Sequence, residues 1–318
     1  MQKEGDRVIV GMAIVGSGHM ARQRAANIAA APRARLVAIS SRNQETGQAL
    51  AADYGCVCTA SLDALLERSD VDAVLVCATN GAHGELALAV LRAGRHTLIE
   101  YPLALEARQA APVAEEALRR GLVAQVGYDQ LWLGPHAALR EAIRRDGPPL
   151  EITSRIAWAG GPYRSAFRNV QLGGSPALVK SYYLYAILDW LGAPSAHAAT
   201  VRYGGLTPDG YYDAAAQHVV LDYPDTLARC VWIVGPDVGG RQKIHTELTW
   251  AAHALVSNGR TIVRRDAMGE TPLDVERVPW SQATYRGLEH FIAAILDNTP
   301  TVPALESAAL TVQLAGAD

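Results

Sequence analysis

Lysine is nearly missing from this chain: Lys3, Lys180 and Lys243 are the only three, and the remaining basic residues are arginines. Chemistry that needs a lysine beside its substrate therefore has very few residues to draw on. Cysteine is scarce too. Cys56, Cys58, Cys77 and Cys230 are too few and too scattered for a disulfide scaffold. Cys56-Val57-Cys58 lacks the spacing of a zinc knuckle and has no second Cys/His pair nearby, so no metal site is expected. No apolar run is long enough to span a membrane, and the polar stretch Met1–Arg7 carries no signal-peptide pattern. A formal net charge of -3 with no basic block removes the electrostatic footprint of nucleic-acid binding. A soluble cytoplasmic protein acting on a small molecule is the expectation, with neither nucleic acid nor membrane as partner.

What is present suits a large core. The 318 residues are 49% hydrophobic and 19% charged, enough for two domains at roughly 150 residues each. Short β-like runs alternate with helical patterns over the first 130 residues. Strands are expected at Val8–Val15, Arg35–Ser40, Val57–Thr59, Val71–Ala78, Thr97–Glu100 and Leu122–Gly127. The intervening helices are Met20–Ala31, Glu45–Tyr54, Leu62–Glu67 (with Ser61 as N-cap), Glu85–Ala93 and Ala107–Arg120. This alternation predicts a doubly wound parallel sheet over residues 1–127. Residues 128–318 read differently. After a helix at Gly134–Arg145, alternating runs at Ile152–Trp158, Ala198–Tyr203, Gln217–Tyr223, Leu227–Val234, Ile244–Trp250 and Thr261–Arg265 predict a large, mostly antiparallel open sheet. One helix, about Pro176–Leu191, interrupts them, and another, about Gln282–Leu296, closes the chain. An α/β chain of two domains results, and the bare sheet face suggests a homodimer.

The first strand runs into Gly16-Ser17-Gly18-His19-Met20-Ala21, a G-x-G-x-x-A turn that opens a helix. Gly16 permits the tight turn, Gly18 admits a pyrophosphate, and Ala21 lets helix and strand pack closely. Gly16, Ser17, Gly18, His19 and Met20 are therefore candidate dinucleotide contacts. After the second strand comes Ser40-Ser41-Arg42-Asn43, with no acid until Glu45. An acid there would bind the 2′-hydroxyl of NAD. Ser41 and Arg42 instead offer donors to a 2′-phosphate, so NADP(H) is expected ahead of NAD(H).

With Ala78-Thr79-Asn80-Gly81-Ala82-His83, Glu100-Tyr101-Pro102-Leu103-Ala104 and Val126-Gly127-Tyr128, the chain resembles the Gfo/Idh/MocA oxidoreductases over essentially its whole length. The resemblance implies that Ala78, Thr79, Asn80, His83, Glu100, Tyr101 and Tyr128 line the cofactor site, with His83 bracing its loop. Most such families carry Glu-Lys-Pro where this chain has Glu100-Tyr101-Pro102, and the tyrosine version is similar to biliverdin reductases. A neutral phenol donates a hydrogen bond or a proton but supplies no cation. It therefore suits hydride addition to a conjugated C=N or C=C acceptor. The Asp/His pair of polyol-oxidising members and the arginines of the bilin-reducing branch are both missing. Lys180-Ser181-Tyr182-Tyr183 stands in that region. Tyr101, Lys180 and Tyr183 become the catalytic candidates, with Asp129, Arg164, Arg168 and Lys180 as substrate contacts. A sugar or cyclitol dehydrogenase and a non-catalytic NADP-sensing protein are the alternatives.

Overall fold

The computed structural model describes residues 2–4, 7–162, 165–236 and 242–316. Two compact units emerge: Met1–Asp129 with Trp280–Ala309, and Gln130–Pro279 with Leu310–Asp318. One division is expected, 1–127 and 128–318; in the structure residues 280–309 join the first unit rather than the sheet unit.

In the first unit the strands are β1 (Gln2–Glu4), β2 (Arg7–Val15), β3 (Ala34–Ser40), β4 (Val57–Thr59), β5 (Ala73–Val76), β6 (His96–Ile99) and β7 (Ala124–Val126). Between them run helices α1 (His19–Ala30), α2 (Gln44–Asp53), α3 (Leu62–Leu66), α4 (His83–Arg92) and α5 (Ala107–Arg120). The sheet order is β4-β3-β2-β5-β6-β7, all parallel, with β1 added antiparallel to β2. Local chemistry sets the helix ends. The Asn43 side chain accepts from Thr46 N–H to start α2, Ser61 accepts from Ala64 N–H to start α3, and Gly121 at φ 62° ends α5. The core of this unit joins Val10, Met12 and Ile14 of β2 to Ala21, Ala25 and Ile28 of α1.

The second unit starts with α6 (Gly134–Asp146) and β8 (Glu151–Trp158), followed by α7 (Pro176–Val179) and α8 (Tyr182–Leu191). Strands β9 (Ala196–Gly204), β10 (Ala214–Asp222), β11 (Leu227–Val234), β12 (Lys243–Thr249), β13 (His253–Ser257), β14 (Ile262–Asp266) and β15 (Gly269–Leu273) complete its sheet. The order is β15-β14-β13-β12-β8-β11-β10-β9, antiparallel except for the parallel β8–β11 pair. Along β11, Ala228, Cys230, Trp232 and Val234 are buried and alternate with Leu227, Arg229, Val231 and Ile233, which are not. One face is therefore packed and the other open.

Helices α9 (Trp280–Asp297) and α10 (Leu305–Ala315) end the chain. Leu288, Phe291 and Ile292 of α9 join the core around α1, and Gln125 donates to the Gly287 carbonyl at 3.0 Å. This apolar stripe is why residues 280–309 belong with the first unit. Four elements were not expected from the sequence: β1, β13, β15 and α10. The expected Pro176–Leu191 helix is also broken in two. All four residues of α7 are buried, whereas α8 is amphipathic and buries Leu184, Ile187 and Leu188 on one side. A straight helix cannot satisfy both patterns, and the chain turns at Lys180 (φ -127°, ψ 41°).

Candidate functional site

A cleft of about 520 Å³ opens at the carboxyl ends of β2, β3 and β5. This is where the strand order reverses, the usual ligand position in an open parallel sheet. Gly16, at φ 123°, makes the turn out of β2, and its N–H donates to the Ser40 carbonyl at 2.8 Å. A side chain there would run into the Cys77 backbone as well as suffer the unfavourable φ. Gly18 is different. Its backbone is unstrained, and a Cβ would meet nothing within 4 Å. It is the N-cap of α1 without a side-chain cap bond, so the first N–H groups of the helix keep capacity for an anion. An open glycine cradle at a helix start fits a dinucleotide pyrophosphate, and the residues here satisfy that requirement.

Beside the turn, three hydroxyls form a chain: Ser17 Oγ lies 2.8 Å from Ser41 Oγ and 2.7 Å from Thr46 Oγ1. Arg42 is exposed at the cleft wall and makes no ion pair with another described residue. Thr46 was not picked out from the sequence, although its place in the first turn of α2 was a usable signal. His19 is exposed and Met20 half-buried at the start of α1. Ala78 and Thr79 line the cleft, and Asn80 opens a 3-10 turn ahead of α4.

His83 is a brace. Its Nδ1 is 2.8 Å from the Pro102 carbonyl and its Nε2 is 3.1 Å from the Ala78 carbonyl. Burial holds its pKa below the usual histidine value, against the pull of those carbonyls. The neutral ring has one proton to give, so it donates to one of these two carbonyls at a time. The loops after β5 and β6 are tied together in this way.

Other expected contacts turn out to be committed elsewhere. Arg24 of α1 is fully buried; its Nε donates to Glu100 at 2.6 Å, and its Nη1 and Nη2 donate to Asp129 at 3.2 and 2.8 Å. Glu100 is therefore an ion-pair partner rather than a cofactor ligand, and Asp129, 2% exposed, is not a substrate contact. Burial pushes the Asp129 carboxyl up to about 6 despite the Arg24 charge, with Glu100 adding to the rise. Tyr128, 1% exposed, backs Tyr101: their rings stack at 5.7 Å and 26°. Tyr101 itself is half-buried. Arg24 went unnoticed in the sequence, yet a charge among Ala21, Ala25 and Ile28 on one helix face was a signal.

In the second unit, Arg168 is also a correction. It is buried, with its Nη2 donating to the Asp213 carbonyl at 2.7 Å and its Nε without a hydrogen-bond partner among the described residues, so it is held inside the second unit rather than standing free in a loop. Arg164 lies outside the described residues. Lys180 is half-buried with its Nζ 5.9 Å from the centre of the Trp158 ring, a cation–π contact, and burial lowers its pKa. Tyr183 packs on Tyr182 with ring centres 4.1 Å apart and accepts a hydrogen bond from Gln242 at 2.9 Å. Trp158 and Gln242 were not anticipated. Among the described residues no group of three His, Cys, Asp or Glu is placed to hold a metal, and no helix is long and apolar enough to cross a membrane.

Comparison with known proteins agrees with the cleft. Residues 10–128 match the Gfo/Idh/MocA profile, described as an oxidoreductase family with an NAD-binding Rossmann fold. Over 115 residues the chain is 36% identical to a dTDP-3,4-didehydro-2,6-dideoxy-alpha-D-glucose 3-reductase of Streptomyces violaceoruber, a stretch covering 36% of this chain and 34% of the relative. A reductase of the same description from Streptomyces antibioticus is 32% identical over 191 residues, covering 58% of each. The chain thus spans less than two thirds of these relatives. Among solved structures, biliverdin reductase of Synechocystis sp. PCC 6803, in complex with biliverdin and NADP+, superposes with a TM-score of 0.87 at 22% identity, over 96% of each chain. At that identity the likeness is one of fold.

Proposed function

We propose that the protein is an NADPH-dependent reductase that adds hydride to the electrophilic carbon of a conjugated C=N or C=C acceptor. The observation that carries this reading is the half-buried Tyr101, stacked on Tyr128 where the family resemblance places a lysine. The first unit holds no lysine apart from Lys3, so no ammonium replaces it. A polyol oxidation that depends on a lysine to take the alcohol proton has no such group here. A phenol can donate a hydrogen bond or a proton to the atom that gains electrons.

The dinucleotide would be held by the Gly16–Gly18 turn, with Ser41 and Arg42 taking a 2′-phosphate. When bound in reduced form, it supplies the hydride. Tyr101 orients the acceptor and protonates it. Lys180 and Tyr183 are the substrate contacts of the second unit: a cation without a carboxylate partner among the described residues suits an anionic substituent, and the neighbouring aromatic rings suit a planar one. The open face of the second sheet is assigned to self-association, read out by sedimentation.

A keto-sugar reductase is the second reading, favoured by the activity of the two Streptomyces relatives. Consumption of NADPH with bilins and cyclic imines, measured against keto-sugars, separates the two. Bilin or imine turnover that drops roughly 10²-fold in Tyr101→Phe supports the first. Turnover of keto-sugars alone overturns it, and tight NADPH binding without turnover of any acceptor indicates a sensing protein.

A further inference from the structure

Arg24 occupies an expensive position. Its guanidinium is fully buried, and it holds two carboxylates, Glu100 and Asp129, that come from the ends of two different strands. A fourth bond runs from Nη1 to the Thr284 carbonyl at 3.2 Å. One guanidinium faces two carboxyl groups in a buried place, with the buried Cys77 thiol close enough to feel them. Apolar packing of similar volume commonly serves stability as well as or better than a buried ion group. Stability alone therefore gives no reason for this arrangement.

Its geometry does. Glu100 precedes Tyr101 in the chain and Asp129 follows Tyr128, so each acidic residue is the chain neighbour of one residue of the stacked pair. Gly127 leaves the room that Arg24 needs: a Cβ there would lie 2.7 Å from Arg24 Nη2 and 3.3 Å from Glu100 Oε2. Three guanidinium nitrogens in a rigid planar fork fix both strand ends relative to α1, the helix that starts at the glycine turn. We propose that Arg24 is a positioning residue that, through Glu100 and Asp129, sets the Tyr101–Tyr128 pair for the nicotinamide end of the dinucleotide. The assignment rests on the reading above that Tyr101 lies at the nicotinamide.

The test uses the full chain and two ligands. NADPH engages both ends of a dinucleotide cleft; 2′,5′-ADP carries the adenine and the 2′-phosphate but no nicotinamide. Dissociation constants for both are measured for the wild type, Arg24→Lys, Asp129→Asn and Tyr101→Ala. Arg24→Lys keeps the charge but loses the fork, and is expected to weaken NADPH about tenfold while 2′,5′-ADP moves less than about twofold. Asp129→Asn retains the size and one acceptor oxygen, and is expected to lose about threefold on NADPH alone. It also carries the test if Arg24→Lys does not fold. Equal losses for both ligands would mean a general structural role and overturn the proposal. So would unchanged NADPH binding in Arg24→Lys and Asp129→Asn alongside a loss in Tyr101→Ala. If Tyr101→Ala itself binds NADPH like the wild type, the nicotinamide reading fails first and the positioning role falls with it.

Discussion

Each unit ties distant elements together through one fully buried polar side chain, and the two choose opposite chemistry. In the first, Arg24 reaches Glu100, Asp129 and the Thr284 carbonyl. In the second, Gln217 of β10 accepts from Ala177 N–H at 2.8 Å, at the start of α7, and donates to the Ala315 carbonyl at 2.7 Å, at the end of α10. Both knots join segments far apart in sequence. The neutral amide satisfies two backbone groups with no ionisation and no large desolvation cost. The charged knot costs more and is sensitive to protonation, because one guanidinium faces two carboxylates. A charge is thus buried in the unit that holds the dinucleotide turn, while a neutral amide ties the start of α7 to the end of α10 in the other.

The largest effect expected from this contrast is on stability. Arg24→Met leaves two buried carboxylates without their cation and is expected to cost about 3–5 kcal/mol. Gln217→Met leaves one backbone donor and one acceptor unpaired, at about 1–3 kcal/mol. Hydrogen exchange resolved by segment measures both and assigns each loss to its unit. Equal losses would break the comparison.

Next comes pH. The folded Asp129 carboxyl sits at about 6, above its ordinary 3.8, so the folded state binds the proton more tightly than the unfolded chain does. Its contribution is fully present below the ordinary value and is lost as pH rises through about 6. The wild type should therefore lose about 1–3 kcal/mol relative to Asp129→Asn between pH 4 and 7. Melting of the two proteins across that range checks this. A constant difference would show that the knot does not titrate, and the contrast with Gln217 would lose its electrostatic half.

The smallest effect concerns Lys180. It is half-buried, its pKa is lowered by that burial, and it makes no ion pair with another described residue. Lys180→Met should change stability by less than about 1 kcal/mol, because apolar contacts replace a cation–π contact of similar worth. A larger loss would make Lys180 a structural residue like Gln217 and remove it from the substrate contacts.

Much of the cofactor cleft was legible in the sequence because its parts are local. A glycine turn, the following helix start and the residues after the next strand lie within about one βαβ unit, and their chemistry depends on backbone freedom and helix ends. The strand–helix alternation was legible for the same reason, since period and capping act over a few residues. Asp129, Glu100 and Arg168 were read as ligand contacts, because a charged residue beside a motif looks the same whether it faces a ligand or another group of the protein. Only the fold showed that Arg24, 105 residues from Asp129, absorbs both carboxylates.

By itself, then, the sequence determined the Rossmann turn, the parallel sheet, the mixed second sheet and the tyrosine in place of lysine, all carried by neighbouring residues. Tertiary structure decided the rest. It sent α9 back to the first unit through Leu288, Phe291 and Ile292, and it broke the helix at Lys180. It also spent two acids on Arg24 and one arginine on the Asp213 carbonyl. Those outcomes depend on which groups meet after long loops close, and a buried charge is settled by the partner it finds there.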